Sequence, residues 1–109
     1  MEIVTRTIQS GAVIDVQGEV DMSTSPELRK VLVGLVEKKT PRILVNLGEV
    51  EYIDSSGLAT IVECLQGVTR YGGRLRLFGI SDGIIDVFRL ARLDAIFDIR
   101  PDEAAALAD

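Results

Sequence analysis

The sequence contains no histidine, no tryptophan and a single cysteine, Cys64. Each gap removes a class of chemistry. Histidine is the usual general base near neutral pH and the commonest metal ligand, so both roles lack their ordinary candidate. One cysteine cannot build a disulfide framework, and without histidine beside it structural zinc has no ligand set. No metal and no cofactor are expected. Positive charge is also scarce, with 12 Lys and Arg against 17 Asp and Glu and a formal net charge of −5. Nucleic acid and anionic membranes select clustered basic residues, so neither is expected as a partner. No apolar run approaches the roughly 20 residues that span a bilayer. The opening MEIVTRTIQS lacks the basic segment and apolar stretch of a signal peptide. A soluble cytoplasmic protein without direct membrane insertion is the expectation.

What remains is enough for a core. The chain has 109 residues, 47% of them hydrophobic, which suits one domain and is too short for two ordinary ones. No repeat, low-complexity run or linker divides it, so a single domain over 1–109 is expected. Strands are predicted from Glu2 to Thr7 and from Ala12 to Gln17, joined as a hairpin by Ser10-Gly11. A helix follows, with Ser25 as N-cap before Pro26, or Thr24 as cap with Glu27 completing a capping box. Leu28, Val31, Leu32, Leu35 and Val36 give it an apolar stripe. Lys38 and Lys39 are read as its last turn and Pro41 as its stop.

RILVNL, Arg42 to Leu47, reads as a central strand. Leu58, Ile61, Val62, Leu65 and Val68 make a second helical stripe that ends before Gly72-Gly73. RLRLFGI, Arg74 to Ile80, alternates as a strand. A third helix is predicted from about Asp82 to Leu93, a short strand near Ile96 to Ile99, and a terminal helix from about Pro101. Alternating strands and helices after a hairpin imply crossover connections, hence an α/β fold. Its sheet is mixed and mostly parallel, with helices packed mainly on one face.

Between the third strand and the second helix lies YIDSSGLATIVECLQ, Tyr52 to Gln66. Capping a helix needs one Ser or Asp, and this junction supplies Asp54, Ser55 and Ser56. A catalytic serine needs a base and an orienting partner; with no histidine and no G-x-S-x-G elbow that role has no support. The phosphate-cradling G-x-x-x-x-G-K-[ST] loop is absent too. Two readings stay open. The polar residues cap the helix, or one serine is a site of phosphorylation. A helix N-terminus tolerates a phosphate without unfolding, and the added charge would change the surface sharply.

The stretch VEYIDSSGLATIV, with GEVDMSTSPEL upstream and GGRLRLFGIS and ARLDAIFDI downstream, resembles the STAS-domain anti-sigma factor antagonists of bacteria over essentially the whole chain. The resemblance implies a STAS-like fold and a non-enzymatic partner switch. Unphosphorylated, such a protein binds an anti-sigma factor that is also a serine kinase and so releases a sigma factor. Phosphorylation ends the binding, and a PP2C-type serine phosphatase resets it. The family's acceptor, the serine directly after the aspartate, maps onto Ser55, with Ser56 as second candidate. The G-E-x-D segment lies near that serine in the family, so Asp21 is expected beside Ser55, to hydrogen-bond its hydroxyl, to contact the kinase, or only to end a strand. The partner-binding surface this implies comprises Asp21, Ser23, Thr24, Asp54, Ser55, Ser56, Gly57 and Leu58. Asn46 and Arg92 depart from the Asp and Gly that many relatives carry. An alternative reading is a STAS docking subunit of a larger assembly, such as a lipid-transport ATPase complex or a stress-signalling particle.

Overall fold

Strands β1 (Glu2–Ile8) and β2 (Gly11–Val20) form the expected hairpin in the computed structural model, which describes residues 1–108. Three further strands, β3 (Arg42–Ile53), β4 (Arg74–Phe78) and β5 (Asp98–Arg100), add in sequence order, each parallel to its predecessor. Helices α1 (Ser25–Glu37), α2 (Ser55–Arg70) and α3 (Asp82–Leu90) make the crossovers, and α4 (Glu103–Leu107) follows β5. The fold is α/β with a mixed, mostly parallel sheet. No helix among the described residues is long and apolar enough to cross a membrane.

Alternation along the strands divides the interior in two. Ala12, Ile14 and Val16 of β2, with Ile43 and Val45 of β3 and Leu75 and Leu77 of β4, meet Leu28 and Leu32 of α1, Ile61 and Val68 of α2, and Ile84 and Phe88 of α3. Three crossovers of one hand, in a sheet whose strands add in one direction, necessarily share a face. Among the described residues, the opposite face is covered by α4 alone. There Ala106 packs on Val13, Leu44 and Phe78, and arginines from three strands hold the carbonyl end of the helix. Arg42 donates to Leu107 O at 2.6 Å, Arg76 to Ala106 O at 2.9 Å and to Ala108 O, and Arg100 to Ala105 O at 3.1 Å. Cations at a helix C-terminus complement its unpaired carbonyls. Arg6 of β1 links β2 to α4 through Asp15 and Glu103, each at 2.6 Å, and holds both carboxyls below their ordinary range.

β2 and β3 both run past their predicted ends, and this positions the rest of the site. Asp15 pairs with Asn46 but Gln17 with Glu49, and Gly18 pairs with Val50 but Glu19 with Tyr52. β3 therefore carries extra residues at two bulges, which break the hydrophobic alternation after Leu47. Gly18 sits at φ +101, a backbone state that favours glycine. The strands end level, Val20 opposite Ile53, and Asp54 N donates to Val20 O at 3.1 Å. Asp21 and Asp54 thus leave the sheet side by side.

The three long helices end alike. After each C-cap, one residue adopts a left-handed conformation and the next turns its N–H back into the helix: Lys39 and Thr40 after α1, Gly72 and Gly73 after α2, Arg92 and Leu93 after α3. Thr40, Gly73 and Leu93 donate to Leu35 O, Val68 O and Phe88 O at 3.1, 2.8 and 2.8 Å. This is the Schellman closure, in which glycine is the favoured residue. Lys38 and Lys39 therefore belong to the closing turn, and α3 stops at Leu90 rather than Leu93. The departure at Arg92 has a local cost, because a side chain there strains the backbone (φ +59). Arg92→Gly and Lys39→Gly should each stabilise the protein by about 1 kcal/mol. Equilibrium urea unfolding checks this, and a loss of stability in both would contradict the strain argument.

Candidate functional site

Two loops leave the sheet together at Asp21 and Asp54, and they share one design. In the first, Asp21 Oδ1 accepts from Ser23 N at 2.9 Å, Ser23 Oγ at 2.6 Å and Thr24 N at 3.2 Å. In the second, Asp54 Oδ1 accepts from Ser56 N at 2.9 Å, Ser56 Oγ at 2.6 Å and Gly57 N at 3.2 Å. A carboxylate bonded to the N–H groups two and three residues on is the Asx form of turn and cap. Both carboxyls are held below their ordinary range, chiefly by the serine hydroxyl each one binds. Asp21 opposes that effect at Asp54 through charge repulsion, as two neighbouring carboxylates must.

This geometry separates the serines. Ser56 is half-buried and its hydroxyl is committed to Asp54, while its carbonyl accepts from Thr60 Oγ1 at 2.9 Å. Ser55 is the first residue of α2, exposed, and its hydroxyl bonds to none of the described residues. Asp54 alone caps the helix. Ser55 is therefore free of any structural task that a hydroxyl performs.

At the other loop the capping expectation needs correction. α1 begins at Ser25 with Pro26 in second position, and Thr24 occupies the N-cap without a side-chain capping bond. Thr24 Oγ1 instead accepts from Asp21 N and donates to Glu19 O, both at 2.9 Å. Pro26 has no N–H to offer and Glu27 N donates to Thr24 O at 3.0 Å, so a side-chain cap has no free N–H to serve, and no Glu27 capping box forms. Asp21 lies beside Asp54 but spends its bonding oxygen on its own turn rather than on the Ser55 hydroxyl.

Gly57 and Leu58 face inward, so they shape the site without offering contact area. A Cβ on Gly57 would lie 2.7 Å from Val20 Cγ1 and 2.8 Å from Ile53 Cγ1. Leu58 packs in the main core. The accessible surface is thus Asp21, Ser23, Thr24, Asp54, Ser55 and Ser56. To these the structure adds Met22, 77% exposed, which the sequence reading passed over. Its signal was the shared pattern Asp-x-Ser: Met22 and Ser55 are the middle residues of matching turns. A groove of about 490 Å³ adjoins, between Val50 and Tyr52 of β3 and Ile84 and Val87 of α3. The surroundings are acidic, since no Lys or Arg occurs in residues 7–28 or 43–69, the two stretches that build the loops.

Comparison with known proteins bears on the family and the fold. The family model of the STAS domain matches residues 2–106. An anti-sigma-B factor antagonist of Bacillus subtilis is 35% identical over 86 residues, covering 79% of this chain and 78% of that one. Among solved structures, an anti-sigma factor antagonist from Mycobacterium paratuberculosis superposes with a TM-score of 0.89 at 24% identity, covering 97% of this chain and 90% of that one. The Bacillus cell fate determinant SpoIIAA, in a phosphorylated form, gives 0.75 at 20% identity over 95% and 96% of the two chains.

Proposed function

Because the chain belongs to the STAS-domain family of anti-sigma factor antagonists, we propose that it is a partner-switching protein with Ser55 as the switch. In its unphosphorylated form it binds an anti-sigma factor that is also a serine kinase, and the sigma factor is released. The kinase then transfers the γ-phosphoryl group of ATP to Ser55 Oγ. The bond to the β-phosphate oxygen breaks, ADP departs, and the hydroxyl proton passes to a base of the kinase. A PP2C-type serine phosphatase hydrolyses the ester and restores binding. The protein itself is a substrate and a ligand here, not a catalyst.

One observation carries the reading. Asp54 completes the helix cap and binds the Ser56 hydroxyl, which leaves Ser55 exposed at a helix N-terminus with no bond to give up. A phosphate placed there meets the positive end of α2 and disturbs no packing. Incubation with the cognate kinase and ATP, followed by intact-mass measurement, tests it. Wild type should gain one phosphate, Ser55→Ala none, and Ser56→Ala one. Fragment masses that place the phosphate on Ser56 alone would overturn the assignment.

A further inference from the structure

β1 forms one border of the sheet, and its outer edge has no partner strand among the described residues. The direction of its backbone groups follows from two observations. Ser10 O accepts from Arg42 N of β3 at 3.1 Å, so alternation turns Gly11, Val13 and Asp15 toward β1. Their partners are Ile8, Arg6 and Val4, and opposed residues of an antiparallel ladder exchange bonds at every second pair. The N–H and C=O groups of Ile3, Thr5 and Thr7 therefore point outward. Natural edges are usually blunted by charged side chains, lysine above all, by proline, a bulge or short length, and β1 carries only Glu2 and Arg6 of these, charges of opposite sign. β5, the other border, has only three residues. β1 has seven, without proline or lysine, and its register with β2 runs unbroken. Thr5 and Thr7 are exposed, and Val4 is 54% exposed.

We propose that β1 pairs antiparallel with β1 of a second copy across a twofold axis at Val4, joining the two sheets into one. Closed pairs of identical chains use such self-complementary contacts, and strand addition satisfies backbone groups that an edge leaves open. The register follows from charge. A twofold at Val4 sets Ile3 against Thr5 for the backbone bonds and Glu2 against Arg6 on both sides of the axis, with Val4 against its own copy. A twofold at Thr5 places Arg6 against Val4 and Glu2 against Ile8, and one at Arg6 opposes two guanidinium groups. Only the first matches opposite charges across the strands. Asp15 and Glu103 fix the Arg6 guanidinium on that face of the strand, taking four of its five N–H donors and leaving its side chain 41% exposed. The pairing leaves Ser55 untouched on each copy and does not depend on the switch.

Sedimentation velocity between about 1 µM and about 1 mM should show a monomer passing into a dimer. Glu2→Arg opposes like charges and should weaken the dimer at least about tenfold. At a concentration where wild type is monomeric it should leave the melting temperature unchanged, because Glu2 is exposed. Val4→Cys should crosslink under mild oxidation, as facing residues of a non-hydrogen-bonded pair lie about 4.5 Å apart at Cα. Wild type provides the blank, since Cys64 is buried and its thiol is pushed up to about 12. A protein monomeric throughout the range, a dimer indifferent to Glu2→Arg, or crosslinking by Thr5→Cys in place of Val4→Cys would each overturn the proposal.

Discussion

Phosphorylated protein and Ser55→Asp should bind the anti-sigma kinase roughly a hundredfold more weakly than wild type, whereas Ser55→Ala should bind about as well. The asymmetry comes from solvation. A neutral hydroxyl entering an interface loses little, while a phosphate or carboxylate must be paired or stay in water. Disrupting charge matching at a buried contact costs about 2–5 kcal/mol, and about 3, within that range, corresponds to the hundredfold. The loops make this effect local. Asp54, next to Ser55 in the chain, already has the Asp21 carboxylate beside it, and neither has a cation near it in sequence. An added phosphate therefore meets no Lys or Arg within either loop, only the N-terminus of α2. Titration calorimetry of wild type, Ser55→Ala and Ser55→Asp decides it. Equal affinities for all three would remove the switch and leave a static docking surface.

Met22 sharpens the same expectation. It is the counterpart of Ser55 in the neighbouring turn and stands 77% exposed, an apolar contact beside a polar one. Truncated exposed methionine has little effect on a monomer, so loss of affinity in Met22→Ala with an unchanged melting temperature would place the neighbouring loop inside the interface.

The helices were legible in the sequence because their apolar stripes face one layer. Leu28 and Leu32 in α1, and Ile61 and Val68 in α2, recur at the helical period and are all buried. The end of β3 was not. Gly48 and Glu49 interrupt its alternation, and the strand continues to Ile53 only because β2 and two bulges support it. The first capping turn was misread for a similar reason. Thr24 and Ser25 carry the residue types of a cap, but Thr24 Oγ1 is drawn back to Asp21 N and Glu19 O, while Asp21, three and four residues earlier, accepts from the N–H groups of Thr24 and Ser25. Local pattern ranks candidate caps; it does not show which carboxylate the sheet delivers to them. At α2 the ambiguity among Asp54, Ser55 and Ser56 needed atomic distances, since all three residue types suit the position.

Gly57→Val should cost about 2–3 kcal/mol and lower the melting temperature by about 10–20 °C. The added atoms have nowhere to go: Val20 and Ile53, whose side chains would lie within 2.8 Å of the new Cβ, are themselves buried at the ends of two strands. Glycine is otherwise a poor helix residue, about 1 kcal/mol worse than alanine, so its presence at α2's third position reflects this close approach. Gly34 of α1 supplies the contrast. Nothing lies within 4 Å of a Cβ built there, and Gly34→Ala should stabilise by up to about 1 kcal/mol. Ser55→Asp, two residues from Gly57 and exposed, should melt close to wild type. Thermal unfolding of the three variants separates the causes of lost binding. Gly57→Val would lose the partner by losing the α2 junction, while Ser55→Asp would lose it with the fold intact. If Ser55→Asp melted as low as Gly57→Val, Ser55 would be a packed structural residue, and the switch would have no exposed hydroxyl to act through.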